Sequence, residues 1–180
     1  MPEAIILLSG KRKSGKDYVA SKLCSLIPHS TIIRLSEPLK SAYADRHGLD
    51  FSQLLSSSQY KEKYRAEMVA WGESMRRSDS GFFARAAVKG AEEFETWIVS
   101  DCRRPSDFHF FLHNYPKPTK VLRVRIEARK EDRERRGWVF MAGIDDAETE
   151  CALDEEKHDL VISNDGPSLH FAPLFHLLSG

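Results

Sequence analysis

Five short apolar runs, rich in β-branched residues, recur along the chain with helix-forming stretches between them. They fall at residues 4–9 (AIILLS), 31–35 (TIIRL), 96–100 (TWIVS), 120–126 (KVLRVRI) and 159–163 (DLVIS). Runs of this length and composition predict buried strands. Strands alternating with helices imply βαβ crossovers and an α/β fold: three layers, with a five-stranded, mostly parallel sheet covered on both faces. In such a sheet ligands gather beyond the carboxyl ends of the strands. The stretch from about residue 37 to 95 reads as a helical insertion. Within it Tyr60, Tyr64, Met68, Trp71 and Met75 fall on one helical stripe, which predicts core packing. Lys61, Arg65 and Arg76 lie within roughly 60° of one another on the adjacent face, either a solvated basic face or an anion-binding wall.

Composition narrows the picture without deciding it. The 180 residues fit one domain spanning 1–180, large enough for a core without disulfides. Lys plus Arg number 27 and Asp plus Glu 27, so no global basic field exists of the kind that drives nucleic-acid binding. Any affinity for anions must come from local clusters. Cys24, Cys102 and Cys151 are widely spaced, which points to neither a zinc site nor a disulfide framework and fits a reducing compartment. The apolar segment 4–8 is too short for a signal peptide or a membrane span. The ending Leu178-Ser179-Gly180 is not a peroxisomal tripeptide, so the cytosol is the expected location. No membrane partner is expected, and a monomer is.

Directly after the first run comes Gly10-Lys11-Arg12-Lys13-Ser14-Gly15-Lys16-Asp17, followed by the helix-like stretch 18–26. This is GxxxxGK between a strand and a helix, the setting a phosphate-binding P-loop requires. The glycines let the backbone curl so that successive N–H groups face phosphate oxygens, and the following helix adds its positive end. Lys16 is then expected to reach the β- and γ-phosphates of ATP. Position 17 departs from the usual Ser or Thr. Asp17 either holds Mg²⁺, with Lys11, Arg12, Lys13 and Lys16 offsetting its charge, or merely complements the helix dipole.

Beyond the third run, Ser100-Asp101-Cys102-Arg103-Arg104 places two arginines at the crevice, while Asp101 stands where a Mg²⁺-orienting acid would. No Glu follows Asp101 and no NKxD segment occurs, which argues against a water-activating ATPase and a GTPase. After the fourth run Arg129, Arg133, Arg135 and Arg136 occupy a charged helix, read as a lid over about 128–145. An acceptor that is already a phosphate is anionic near pH 7 and needs cations rather than a base. The abundance of arginine fits such an acceptor.

These segments resemble, in order and over nearly the whole chain, the animal-type phosphomevalonate kinase family. The resemblance rests on SGKRKSGKD at 9–17, RLSEPLK at 34–40, YKEKYR at 60–65, WGE at 71–73, GFFAR at 81–85, WIVSDCRR at 97–104, RGWVF at 136–140 and DDAETEC at 145–151. It implies a P-loop fold of the nucleoside-monophosphate-kinase type. It also implies transfer of the γ-phosphoryl of MgATP to 5-phosphomevalonate, giving 5-diphosphomevalonate for isoprenoid and sterol synthesis. Carried over by residue, Lys11, Arg12, Lys13, Ser14, Gly15, Lys16, Asp17 and Arg136 contact ATP. Lys16 is catalytic, with Arg103, Arg104 and Asp17 beside it. Substrate contacts fall to Arg76, Arg85, Arg103, Arg104 and Asn164, joined by Lys61 and Arg65 from the basic face. Two departures stand out: Asp165 occupies a position where the family often has His, and Pro173 is expected to interrupt a short C-terminal helix. The competing readings are a small kinase for a nucleoside monophosphate or sugar acid, and a nucleotide-binding regulatory protein with a degenerate loop.

Overall fold

A computed structural model describes residues 1–56, 59–166 and 168–179. Gly180, the last residue of the C-terminal tripeptide considered above, lies outside them. The chain divides into two compact units, one formed by Met1–Ile33 with Gly90–Gly180 and the other by Arg34–Lys89.

The first unit contains the sheet. Its strands are β1 (Ala4–Ser9), β2 (Ser30–Ile33), β3 (Thr96–Val99), β4 (Lys120–Glu127) and β5 (Leu160–Ser163), in the order β2-β3-β1-β4-β5. Every pairing is parallel, so the expected five-stranded α/β sheet is present and more uniform than "mostly parallel". β1 is central and buries all six of its residues, as its unbroken apolar run requires. β2 stops at Ile33, two residues short of expectation, because Ile33↔Val99 is its last rung with β3 and the chain then turns into a helix. One core cluster joins Ile6 and Leu8 of β1, Ile98, Val124, Ile126 and Ile162 of its neighbours, and Val19, Ala20 and Leu23 of α1 (Lys16–Leu26). Leu174 joins them from the C-terminal helix, Ala172–Ser179. Pro173 does not interrupt that helix. It sits in the first turn, where the missing N–H has no intrahelical partner to lose.

The second unit is helical: α2 (Ser36–His47), α3 (Phe51–Leu55), α4 (Gln59–Ser78) and α5 (Phe82–Ala87). Its own core contains Leu39, Tyr43, Ala44, Leu54, Met68 and Phe83. Tyr60, Tyr64, Trp71 and Met75 pack against it, so the aromatic and methionine stripe is core, as the spacing predicted. Among the described residues no helix is long and apolar enough to cross a membrane.

Candidate active site

The site begins where β1 ends. Gly10 has φ 148°, Lys13 φ 64° and Gly15 φ 91°, so the backbone between β1 and α1 turns repeatedly through the left-handed region. Side chains are excluded at both glycines. A Cβ on Gly10 would be driven into the Ile126 carbonyl oxygen, and one on Gly15 into the Asn164 amide nitrogen. Asn164, buried just after β5, donates from Nδ2 to the Ser14 carbonyl at 2.9 Å. Arg136 donates to the carbonyls of Lys13 at 3.3 Å, Ser14 at 3.2 Å and Asn164 at 2.6 Å. With these carbonyls held on one side, and the first N–H groups of α1 lacking intrahelical acceptors, the loop presents an amide-lined concavity suited to an anion.

Lys16 opens α1 and folds its ammonium back over the loop, donating to the Gly10 carbonyl and, at 3.3 Å, to that of Lys11. Burial, reinforced by Arg103, lowers its pKa to about 8, although Glu150 and Asp17 push the other way. A cation held in surroundings that disfavour its charge is stabilised when an anion arrives. Ser14 Oγ is buried and, among the described residues, has no hydrogen-bond partner. The loop therefore fits a polyphosphate on its own observations.

Two further loop cations, Lys11 and Arg12, are tied down by acids from a distant segment, where α8 is Glu148–Cys151. Lys11 donates to the Glu150 carbonyl at 2.9 Å and pairs with Asp154, which also accepts from Arg125 at 2.6 Å. Burial alone would raise Asp154, but these two cations leave it below the usual carboxylate range. Arg12 turns its guanidinium away from the concavity onto Asp145, at 3.1 and 2.6 Å. That pairing, with the Trp138 indole N–H at 2.9 Å, holds the Asp145 carboxyl far below its ordinary value. Arg133, from α7 (Lys130–Arg135), donates to the Arg12 carbonyl at 2.9 Å and lies 4.2 Å from the centre of the Trp138 ring. A cleft of about 610 Å³ adjoins the loop, bounded by Lys11, Ser14, Arg125, Arg129, Arg133 and His158 among others.

Beyond β3, Arg103 pairs through Nη1 with Glu150. Its own N–H and that of Arg104 donate to buried Asp107, which fixes the start of α6 (Pro105–Asn114). Lys11, Arg12, Ser14, Gly15, Lys16, Arg103, Arg136 and Asn164 are thus brought together. Lys13 contributes its backbone while its side chain is exposed, Asp17 is exposed in the first turn of α1, and Asp101 is half-buried after β3. In the helical unit Arg65 pairs with Glu62, Arg85 with Asp79, and Arg76 with Glu73 while lying 4.7 Å from the Phe83 ring centre. Lys61 is half-buried on α4. Among the described residues no group of three or more His, Cys, Asp or Glu side chains is arranged to hold a metal ion. Sequence reasoning gave no role to Asp145, Glu150, Asp154 or Arg125, although Asp145 and Glu150 lie in the DDAETEC segment at 145–151 that carries part of the resemblance, and Arg125 in the fourth apolar run.

The family profile described as phosphomevalonate kinase matches residues 8–117. A "Phosphomevalonate kinase" of Drosophila melanogaster is 42% identical over 167 residues, covering 89% of this chain and 88% of that protein. The chain belongs to the phosphomevalonate kinase family. As a member of that family it is an ATP-dependent kinase. The crystal structure of TT1252 from Thermus thermophilus aligns with 99% of this chain and 94% of its own, at TM-score 0.51 and 14% identity, a likeness of fold alone. For this phosphomevalonate kinase family member the loop at 10–16 lies inside the matched region, and the acids at 145–154 lie beyond it.

Proposed function

We propose that the chain transfers the γ-phosphoryl group of ATP to the phosphate of 5-phosphomevalonate, releasing ADP and 5-diphosphomevalonate. The carrying observation is Lys16, a disfavoured cation beside Arg103 at the mouth of an amide-lined loop. An oxygen of the acceptor phosphate forms the new bond to the γ-phosphorus while the bond to the β-phosphate oxygen breaks. No proton need be abstracted, since the acceptor is already anionic. The protein's task is to position and to neutralise charge. The loop amides and Lys16 hold the β- and γ-phosphates, and Arg136 and Asn164 keep the loop in shape. Arg103 and Arg104 meet the transferring group. Lys61, Arg65, Arg76 and Arg85 supply charge for the acceptor's phosphate and carboxylate, and the segment at about 128–145 acts as the lid. Asp17 and Asp101 are the carboxylates that would hold Mg²⁺, an ion that keeps waters and phosphate oxygens as its other ligands and would neutralise charge on the nucleotide.

A coupled ADP-release assay tests this with 5-phosphomevalonate, mevalonate, AMP and CMP as acceptors. Turnover with 5-phosphomevalonate alone is expected. Turnover confined to a nucleotide acceptor would make the chain a nucleoside-monophosphate kinase, and ATP binding without turnover would make it a regulatory nucleotide binder.

A further inference from the structure

We infer that Glu150 is a positioning residue for phosphoryl transfer, one side chain that sets both the Arg103 guanidinium and the backbone of the phosphate loop. The inference rests on the kinase reading above and adds to it a residue from a part of the chain otherwise unconnected with the chemistry.

The geometry carries it. Glu150 belongs to α8, and its side chain is 4% exposed. Both carboxyl oxygens are committed: Oε2 accepts from the Arg12 N–H at 2.8 Å, and Oε1 from Arg103 Nη1. Its carbonyl accepts from Lys11 Nζ at 2.9 Å. A buried carboxylate is costly unless fully paired, and here both partners belong to the phosphate-binding apparatus. An arginine has five N–H donors. Binding one nitrogen of Arg103 to Glu150 restrains the position of the guanidinium and leaves donors on its other nitrogens for phosphoryl oxygens. The carboxylate also sits among the charges that face Lys16, which are Arg103, Glu150, Asp17 and Arg125, and it opposes the effect of Arg103 on that ammonium. Two cations can thus approach the same phosphoryl group with less mutual repulsion.

Glu150→Gln keeps the shape and removes the charge. The kinase assay should show kcat lowered about 10–100-fold, with KM for ATP and for acceptor changed by no more than about threefold. The double variant Glu150→Gln/Arg103→Met should turn over within about threefold of Arg103→Met alone, because Glu150 acts through Arg103. Glu148→Gln, an exposed acid on the same helix, should behave as wild type. Should Glu150→Gln fail to fold, Glu150→Asp, which withdraws the charge by one methylene, should show the same kcat loss. Wild-type kcat in folded Glu150→Gln, or additive losses in the double variant, would overturn the inference. Tighter ATP binding with unchanged kcat would also overturn it, since Glu150 would then be a competitor for Arg103. If wild type binds ATP but does not phosphorylate 5-phosphomevalonate, the kinase reading fails and the inference falls with it, whereas an unaffected Glu150→Gln in an active wild-type background overturns the inference alone.

Discussion

Lys16 is pressed against the carbonyls of its own loop, in surroundings that disfavour its charge. The same arrangement that prepares it for a phosphoryl group weakens the fold. Lys16→Met should therefore lower kcat by about 10²–10³-fold, as expected for removal of a preorganised charge. It should also change stability in a pH-dependent way. The pKa of Lys16 is about 8 in the folded protein, below the 10.5 of an ordinary lysine. Between those values the unfolded chain binds the extra proton, so the wild-type protein gains stability as pH rises through that window. Lys16→Met lacks this gain, and its thermal midpoint relative to wild type should be highest near pH 7 and decline towards pH 10. A pH-independent difference in scanning calorimetry would remove the strain from Lys16. The loop lysine was readable from sequence because strand, glycines and helix are adjacent along the chain. Glu150 was not, because its partners Arg12 and Arg103 stand 138 and 47 residues away and nothing in an acidic run tells a paired carboxylate from a solvated one.

The unit of β1, loop and α1 owes its form to backbone that only glycine can supply. At Gly10 a side chain meets both a disfavoured φ and the Ile126 carbonyl. At Gly48, which caps α2 with φ 62°, nothing lies within 4 Å of the added carbon. Gly48→Ala should consequently cost about 1–2 kcal/mol in urea denaturation, the conformational part alone. Gly10→Ala should cost more than that and weaken ATP binding as well. Equal costs would mean that the Ile126 contact relaxes freely. All five strands were legible within a residue or two, since their β-branched and apolar residues stand out from charged surroundings, most clearly in β1 and β3, which are buried throughout. Element ends were harder. β2 ends where its single partner ends, and Pro173 starts a helix instead of breaking one, facts set by pairing and by position within the first turn rather than by local composition.

Across the whole molecule, Arg34–Lys89 carries a hydrophobic cluster distinct from the one beneath the sheet. Leu54 is fully buried in it. Leu54→Ala should cost about 2–5 kcal/mol, and limited proteolysis of the variant should cut first within 34–89, ahead of the sheet segments. Simultaneous cleavage throughout would mean that the two clusters unfold together. The same scale gives meaning to the carboxylates that hold Lys11, Arg12 and Arg103. A nascent chain emerges from its amino end, so Lys11 and Arg12 of the phosphate loop are made 133 to 143 residues before the acids that hold them at 145–154. Even β1 waits for residue 120 before its longer neighbour arrives. Until those acids have left the ribosome, Lys11, Arg12 and Arg103 lack the carboxylate partners they have in the folded chain. Pairing of the loop cations therefore follows the synthesis of 145–154 and cannot precede it.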